Sequence, residues 1–165
     1  MAILLSDINV EKLALSEPRA GRAGVNIRGL VGGGITFRLG EDLENEIIYE
    51  PSAFQGTGQE TRLNIMIRTS EEALNALADI ERTLLPSGYT SSLRDGAIRA
   101  KIDVTKAQFY DQAGEEVGQP ASYRQRCNAA IEIKGTYQSR QGSGLLLEVT
   151  ALQLGGVRTP PNPFK

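Results

Sequence analysis

The sequence predicts a mainly β fold with one amphipathic helix. Residues 125–134 and 145–154 alternate apolar with polar or small side chains at the period of two that half-buried strands show. Residues 70–85 instead carry apolar side chains at helical spacing. The chain has 165 residues, 40% of them hydrophobic, which is enough to bury a core of its own. We therefore expect one domain over 1–154, followed by an extended proline-rich tail over 155–165.

The segment 125–154 predicts a long β-hairpin around which the other strands are arranged. The apolar faces of its two arms are formed by Cys127, Ala129, Ile131, Ile133, Leu145, Leu147 and Val149. The connection 139–144 is polar and contains glycine, as hairpin turns often are. Leu152 and Leu154 continue on the opposite parity, which predicts a β-bulge near Thr150. Cys127 is predicted to be a small core residue.

Further strands are predicted over 25–31, 35–39, 61–68 and 97–104, where the same alternation recurs. The first two are expected to pair as a hairpin across three consecutive glycines. A phosphate-binding loop is not expected there, because no Gly-Lys-Ser/Thr sequence leads into a helix. Residues 2–16 form either a strand or a docked arm, and 41–59 are expected to be an acidic, irregular connection. Phe37 shares the parity of its apolar neighbours and is predicted to be buried.

The predicted helix has recognisable ends. Thr69 and Glu72 have the spacing of a capping box, and Pro86 follows the last turn. Its apolar stripe consists of Ala73, Leu77, Ile80 and Leu84. Asp79 and Glu81 are expected to face solvent. Such a helix covers one end or face of the sheet.

Composition excludes several classes of enzyme. The chain has no histidine and one cysteine, so it contains neither Ser-His-Asp nor Cys-His catalysis, no His-bearing or all-thiolate zinc site and no iron–sulfur cluster. A hydrolase that uses paired carboxylates stays possible, but nothing in the sequence brings a particular pair together. We therefore expect a protein that is not an enzyme and has no metal or cofactor. Without a signal peptide or an apolar span, an intracellular, soluble protein is expected, in the cytoplasm or, if viral, in the host cell.

Charge is segregated along the chain. The net charge is −2, yet residues 18–40 contain four arginines and no acid, while acids concentrate in 41–50, in the helix and in 111–116. On most strands an arginine or lysine lies opposite the apolar face. A basic surface on an acidic protein is consistent with binding to a nucleic acid backbone. Solubility and protection of sheet edges would explain the same residues equally well, so charge alone does not decide.

Exposed aromatic rings would complete a nucleic acid site, because bases stack on them at about 1–3 kcal/mol each. The candidates for phosphate contacts are Arg28, Arg38, Arg62, Arg99, Lys101, Lys134 and Arg140. The candidates for base stacking are Phe109, Tyr110 and Tyr137.

The strand AIRAKIDVTKAQFYD and the hairpin AAIEIKGTYQSRQGSGLLLEVTALQL resemble the C-terminal half of OB-fold single-stranded DNA-binding proteins of phages and other DNA viruses. The resemblance covers 94–154. It implies a Greek-key OB barrel with a helix between strands, sequence-independent binding of single strands, and a role in replication, recombination or repair. The chain departs from the family in having more than five strands, which implies an elaborated barrel. Its C-terminal PNPFK also lacks the acids that recruit partner proteins in the family.

A second interpretation stays open at this point. The same strands would suit a structural or assembly module of a virion or multiprotein complex, which would use an apolar patch or a sheet edge and have no need of DNA. The acidic total charge favours that interpretation, and the arginines on the strand faces favour the first. The pattern does not separate DNA from RNA. Exposed hairpin edges are compatible with a homo-oligomer, and replication or recombination proteins are candidate partners.

Overall fold

The computed structural model describes residues 3–21, 24–39, 43–49, 62–118 and 125–157. The elements are, in chain order, β1 (Ile3–Leu4), two short 3-10 helices (Leu5–Asp7 and Val10–Lys12), β2 (Arg19–Ala20), β3 (Asn26–Gly29), β4 (Ile35–Leu39), β5 (Asn45–Tyr49), β6 (Arg62–Arg68), α1 (Glu71–Leu84), β7 (Leu93–Arg94), β8 (Ala97–Asp103), β9 (Gln108–Tyr110), β10 (Gln125–Ser139) and β11 (Gly142–Val157).

Five strands close into a barrel. Pairing runs from β10 to β5, then to β6, β8 and β11, and the hairpin of β11 with β10 completes the ring. Neighbours in the ring are antiparallel except β8 and β11, which are parallel. A five-stranded closed barrel accompanied by one helix is OB-like. The predicted fold class, mainly β with one amphipathic helix in an elaborated OB-like barrel, is confirmed.

The central hairpin is present as predicted, with β10 and β11 paired along their whole length. Ala130 pairs with Ala151 and Ile131 with Val149, which leaves Thr150 as the extra residue of a bulge and confirms the predicted change of phase. The turn is shorter than expected, because Ser139 already pairs with Gly142. β11 also extends to Val157, so 155–157 belong to the sheet and not to the predicted tail.

The predicted hairpin of 25–31 with 35–39 is wrong. β3 and β4 both pair antiparallel with β10, at 135–138 and at 129–133 respectively, so they follow one another along the same edge of that strand. β5 takes the next part of this edge, at 126–127. The strand predicted over 25–31 also ends earlier, because β3 ends at Gly29, and beyond it Leu30 is buried while Val31 is 66% exposed. β10 is long enough for β3, β4 and β5 to pair with successive parts of the same edge.

α1 is the predicted helix, but its N-cap is Ser70 and not Thr69. The Ser70 hydroxyl oxygen accepts a hydrogen bond from the Ala73 amide at 3.2 Å. Leu77 and Ile80 are fully buried, as the apolar stripe predicts. The expectation that Glu81 faces solvent is wrong: its side chain is buried, and its carboxylate accepts hydrogen bonds from Ser91 and Ser92, both at 2.7 Å. A buried carboxylate is tolerated because it is hydrogen-bonded.

The acidic connection 41–59 is not irregular throughout, because Asn45–Tyr49 forms β5. Asn45 is buried, and its side-chain amide donates to the carbonyls of Leu39 and Cys127 at 2.7 and 3.1 Å. The rest of that prediction, at 41–42 and 50–59, lies outside the described residues, as does the tail from 158 onwards. That the chain forms a single domain stays a prediction, but its predicted boundary at 154 falls inside β11.

One apolar cluster fills the barrel and includes Phe37, as predicted. Every ring strand contributes, and α1 joins the cluster through Leu77 and Ile80 together with Leu5 and Ile8 of the N-terminal segment. The docked-arm alternative for 2–16 is therefore nearer the structure, although Ile3–Leu4 also adds a short parallel strand to β4.

Cys127 is fully buried on β10, as predicted, and burial raises the pKa of its thiol from 9.0 to about 12. Because the thiolate is the reactive form, we expect Ellman's reagent at about pH 8 to leave the native protein unlabelled and to modify Cys127 on unfolding. The unfolded thiol ionises near pH 9 while the folded thiol stays protonated. The free energy of unfolding should therefore fall as the pH rises from 9 towards 12. Rapid labelling of the native protein at about pH 8 would contradict the predicted protection of the Cys127 thiol.

Candidate nucleic-acid interface

A groove of about 600 Å³ lies on the outside of the barrel. Its floor is formed by the outward faces of β8 and of the β10–β11 hairpin. One wall comes from β2 and β3, and the other from the segment 90–92 between α1 and β7. Successive side chains of a strand point to opposite faces, so the residues that alternate with the core residues are available to line the floor. The groove therefore has a floor of β-sheet and one wall that is not a strand.

Four basic side chains line the groove: Arg19, Arg99, Lys101 and Lys134. Arg99 and Lys101 are two residues apart on β8, so they share its outward face. Lys134 occupies a second bulge, because Ile133 pairs with Leu147 and Gly135 with Leu146. Bulges next to binding sites redirect side chains. Three elements distant in sequence thus bring their positive charge to one place.

Tyr137 is the aromatic residue of the groove lining. It pairs with Gly144 across the hairpin, and a Cβ atom at Gly144 would lie 2.8 Å from the Tyr137 hydroxyl oxygen. Tyr137 also pairs with Ile27 of β3. This close approach of β3 requires Gly135, where a Cβ atom would lie 2.0 Å from the Arg28 carbonyl oxygen. Glycines on both sides of Tyr137 therefore determine where its ring lies, half-buried in the groove.

Among the described lining residues there is one carboxylate, that of Glu148. Its Oε2 lies 2.8 Å from Nζ of Lys134, and the side chain of Glu148 is 15% exposed against 45% for Lys134. Glu148 also pairs with Lys101 in the parallel ladder. The partly buried carboxylate of Glu148 thus competes with an anionic ligand for Lys134.

The segment 90–92 is held from both sides. Glu81 binds Ser91 and Ser92 from the helix, and the Thr90 amide donates to the Ser143 carbonyl of the hairpin at 2.7 Å. These bonds fix the groove wall to α1 and to β11 together. Sequence reasoning missed this function of Glu81, because helical spacing alone places it beside the apolar stripe and says nothing of its partners.

Asn64 of β6 also faces the groove, opposite Lys101 in the ladder. Its Oδ1 atom is buried and has no hydrogen-bond partner in the described part of the chain. Buried polar atoms nearly always have partners, so an orphaned acceptor in a groove wall is suited to a ligand donor.

The structure brings four of the ten predicted site residues into the groove: Arg99, Lys101, Lys134 and Tyr137. Arg38 and Tyr110 line a second, smaller cavity of about 270 Å³. Arg140 is exposed at the hairpin turn. Arg62 lies at the start of β6, where its backbone is in register with Asp103 of β8. Arg28 is half-buried, and its Nε donates to the Ser16 carbonyl at 2.7 Å. The basic residue missed by the site prediction is Arg19, whose only signal was its place in an arginine-rich segment.

The prediction that Phe109 stacks on a base is wrong. Its side chain is 7% exposed and belongs to the core cluster. Phe109 and Tyr110 are adjacent on β9, so alternation turns one ring inward and the other outward. Because Phe109 pairs with the buried Leu152, Phe109 is the inward one.

Within the described ranges, no group of three or more histidine, cysteine, aspartate or glutamate side chains is arranged to hold a metal ion. In the same part of the chain, α1 is neither long nor apolar enough to cross a membrane.

The OB-like fold of this chain is similar to the fold of single-stranded DNA-binding proteins of phages whose structures are solved. One similar solved structure is that of the single-stranded DNA-binding protein from bacteriophage Enc34 with its C terminus truncated. The TM-score is 0.50 at 13% identity, and the match covers 90% of this chain and 100% of that one. This likeness shows a shared fold, and it confirms the fold type that the sequence resemblance implied.

Two further solved structures are similar. The Enc34 protein in complex with single-stranded DNA has a TM-score of 0.48 at 15% identity, over 94% of this chain and 99% of that one. The single-stranded DNA-binding protein gp2.5 of bacteriophage T7 has a TM-score of 0.49 at 10% identity, over 76% of this chain and 93% of that one. No protein-family model matches the sequence, and no curated protein is significantly similar to it.

Proposed function

We propose that this protein binds single-stranded DNA without sequence preference and is not an enzyme. The observation that supports this most strongly is the meeting of Arg99, Lys101, Lys134 and Tyr137 in one groove of an OB-like barrel. Cations along a groove follow the phosphate backbone, while a ring provides a stacking surface that accepts any base. The fold shared with the Enc34 single-stranded DNA-binding protein supports the same function.

The chemistry of the groove favours a single strand over a duplex. Tyr137 is half-buried beside Gly144, so a base reaches its ring only when that base is not already paired and stacked in a helix. The orphaned Oδ1 of Asn64 would accept a hydrogen bond from an N–H group on an exposed base edge. This single contact would discriminate little between bases, because every unpaired base exposes an N–H donor on its edge.

The biological role that follows from this binding is protection or handling of single strands in replication, recombination or repair. A homo-oligomer formed through sheet edges and contacts with replication or recombination proteins stay predictions from the sequence. No apolar surface patch of the kind that an assembly module needs is evident among the described residues, where the exposed large hydrophobic side chains are Ile3 and Val31.

The test is fluorescence anisotropy of a labelled oligo-dT of about 30 nucleotides, longer than the site of one OB fold. We expect binding that duplex of equal length does not compete away and that weakens with salt, with a log–log slope of about −0.7 for each phosphate contacted. Arg99→Ala should weaken binding and make the slope shallower. Arg82→Ala, which removes the same charge from the exposed face of α1, should not. Absence of binding at low salt would refute the proposal and favour the assembly module.

A further inference from the structure

The second cavity lies on the same outward face of the hairpin as the groove. Along this face three rungs of the β10–β11 ladder follow one another: Asn128 with Gln153, Ala130 with Ala151, and Glu132 with Glu148. Glu148 already belongs to the groove. Rungs two residues apart are about 7 Å from each other, so the alanine rung lies one step beyond the end of the groove.

The alanine rung forms the floor of a trough. Its small side chains lie between a rung of amides and a rung of carboxylates, which are about 13 Å apart along the strand. The strands on either side supply the flanks, since β4 places Arg38 next to Ala130 and β9 places Tyr110 next to Gln153. The trough thus has a cation at one side, an aromatic ring at the other and a flat, apolar floor between them.

The amide rung closes one end of the trough and is held in place. The Asn128 side chain donates to Gln153 at 3.0 Å and accepts from the Leu43 amide at 2.9 Å. Gln153 in turn donates to the Gln112 carbonyl at 3.3 Å. The Tyr110 hydroxyl donates to Gln108 at 2.6 Å. Because these polar groups already make hydrogen bonds within the protein, the trough would hold a ligand mainly through shape and stacking.

We propose that this trough binds one further nucleotide of the strand that occupies the groove, with the base on the alanine floor beside Tyr110 and the phosphate near Arg38. This inference rests on the proposed function. A nucleobase is the ligand that fits, because a flat floor and a ring accept a planar heterocycle while a neighbouring cation accepts its phosphate. The acidic rung of Glu132 and Glu148 would repel phosphate, so the backbone must pass to one side as the strand leaves the groove.

The experiment fills the trough without touching the groove. Ala130→Leu and, from the other strand, Ala151→Leu each place a bulky side chain on the floor. Asn75→Leu adds the same side chain on the exposed face of α1 as the matched control. Affinities are measured for the wild type and the three variants with an oligo-dT series of about 4 to 16 nucleotides, the range of site sizes of OB folds. Thermal melting followed by circular dichroism checks that each variant is folded.

We expect both trough variants to bind the short oligonucleotides as the wild type does and to lose about fivefold to tenfold in affinity for the longer ones, the loss of one stacked base. Asn75→Leu should match the wild type at every length. Equal affinities for all four proteins at every length would overturn the trough while leaving the groove intact. So would a uniform loss across lengths, because it would place Ala130 within the groove itself. Failure of the wild type to bind any oligonucleotide would instead refute the proposed function.

Discussion

Replacing Tyr137 with alanine is expected to weaken binding of single-stranded DNA by about tenfold, which corresponds to about 1.4 kcal/mol of lost stacking. Tyr137 is the aromatic side chain of the groove, and its partner across the hairpin, Gly144, has no side chain that could replace the ring. Because the loss is in stacking and not in charge, the salt dependence of binding should stay unchanged. Anisotropy titrations at several salt concentrations measure both quantities.

The matched control is Tyr137→Phe, which keeps the ring and removes the hydroxyl. It should bind as the wild type does. The alanine variant should also melt close to the wild type, since Tyr137 is only half-buried. If Tyr137→Ala unfolds the protein, the ring is part of the core and the stacking function assigned to it is wrong.

Replacing Glu148 with glutamine is expected to strengthen DNA binding by about threefold to tenfold at low salt and to steepen the log–log salt slope by about 0.7, the contribution of one further phosphate contact. In the wild type, Oε2 of Glu148 lies 2.8 Å from Nζ of Lys134, so this ion pair competes with the proposed phosphate contact of Lys134. Glutamine keeps the volume and removes the negative charge. The folded state should lose little stability, because Lys134 is 45% exposed and remains hydrated.

Two comparisons separate a local ion pair from a general effect of charge. Glu132→Gln removes the same charge from the position directly opposite Glu148, but Glu132 does not line the groove. Its effect on affinity should be clearly smaller. In a double-mutant cycle, Lys134→Ala should weaken binding and abolish most of the gain from Glu148→Gln. Equal gains from both glutamine variants, with or without Lys134, would show that Glu148 acts through net charge alone.

Part of the site was predictable from sequence. The alternation of apolar and polar residues along a strand predicts which side chains point outward. Arg99, Lys101 and Lys134 were correctly predicted to lie on outward faces. Alternation does not state which outward faces meet. The structure separates the ten candidates among the groove, the trough and isolated positions, and Arg28 is tethered to the Ser16 carbonyl. Because Phe109 and Tyr110 are adjacent, the sequence predicts that one ring is buried but not which one. The structure shows that it is Phe109, which pairs with the buried Leu152.

By itself, the sequence determined the period of each element. The hairpin, its bulge at Thr150, the strands β6 and β8 and the buried stripe of α1 all follow from apolar spacing, because burial of a repeating face is a local property of the chain. Only the tertiary structure decided the pairings. β10 is long enough to bind three short strands along one edge, so β3 and β4 pair with it and not with each other. Edge hydrogen bonds are equivalent along a strand, and the chain's path through space selects which partner uses them.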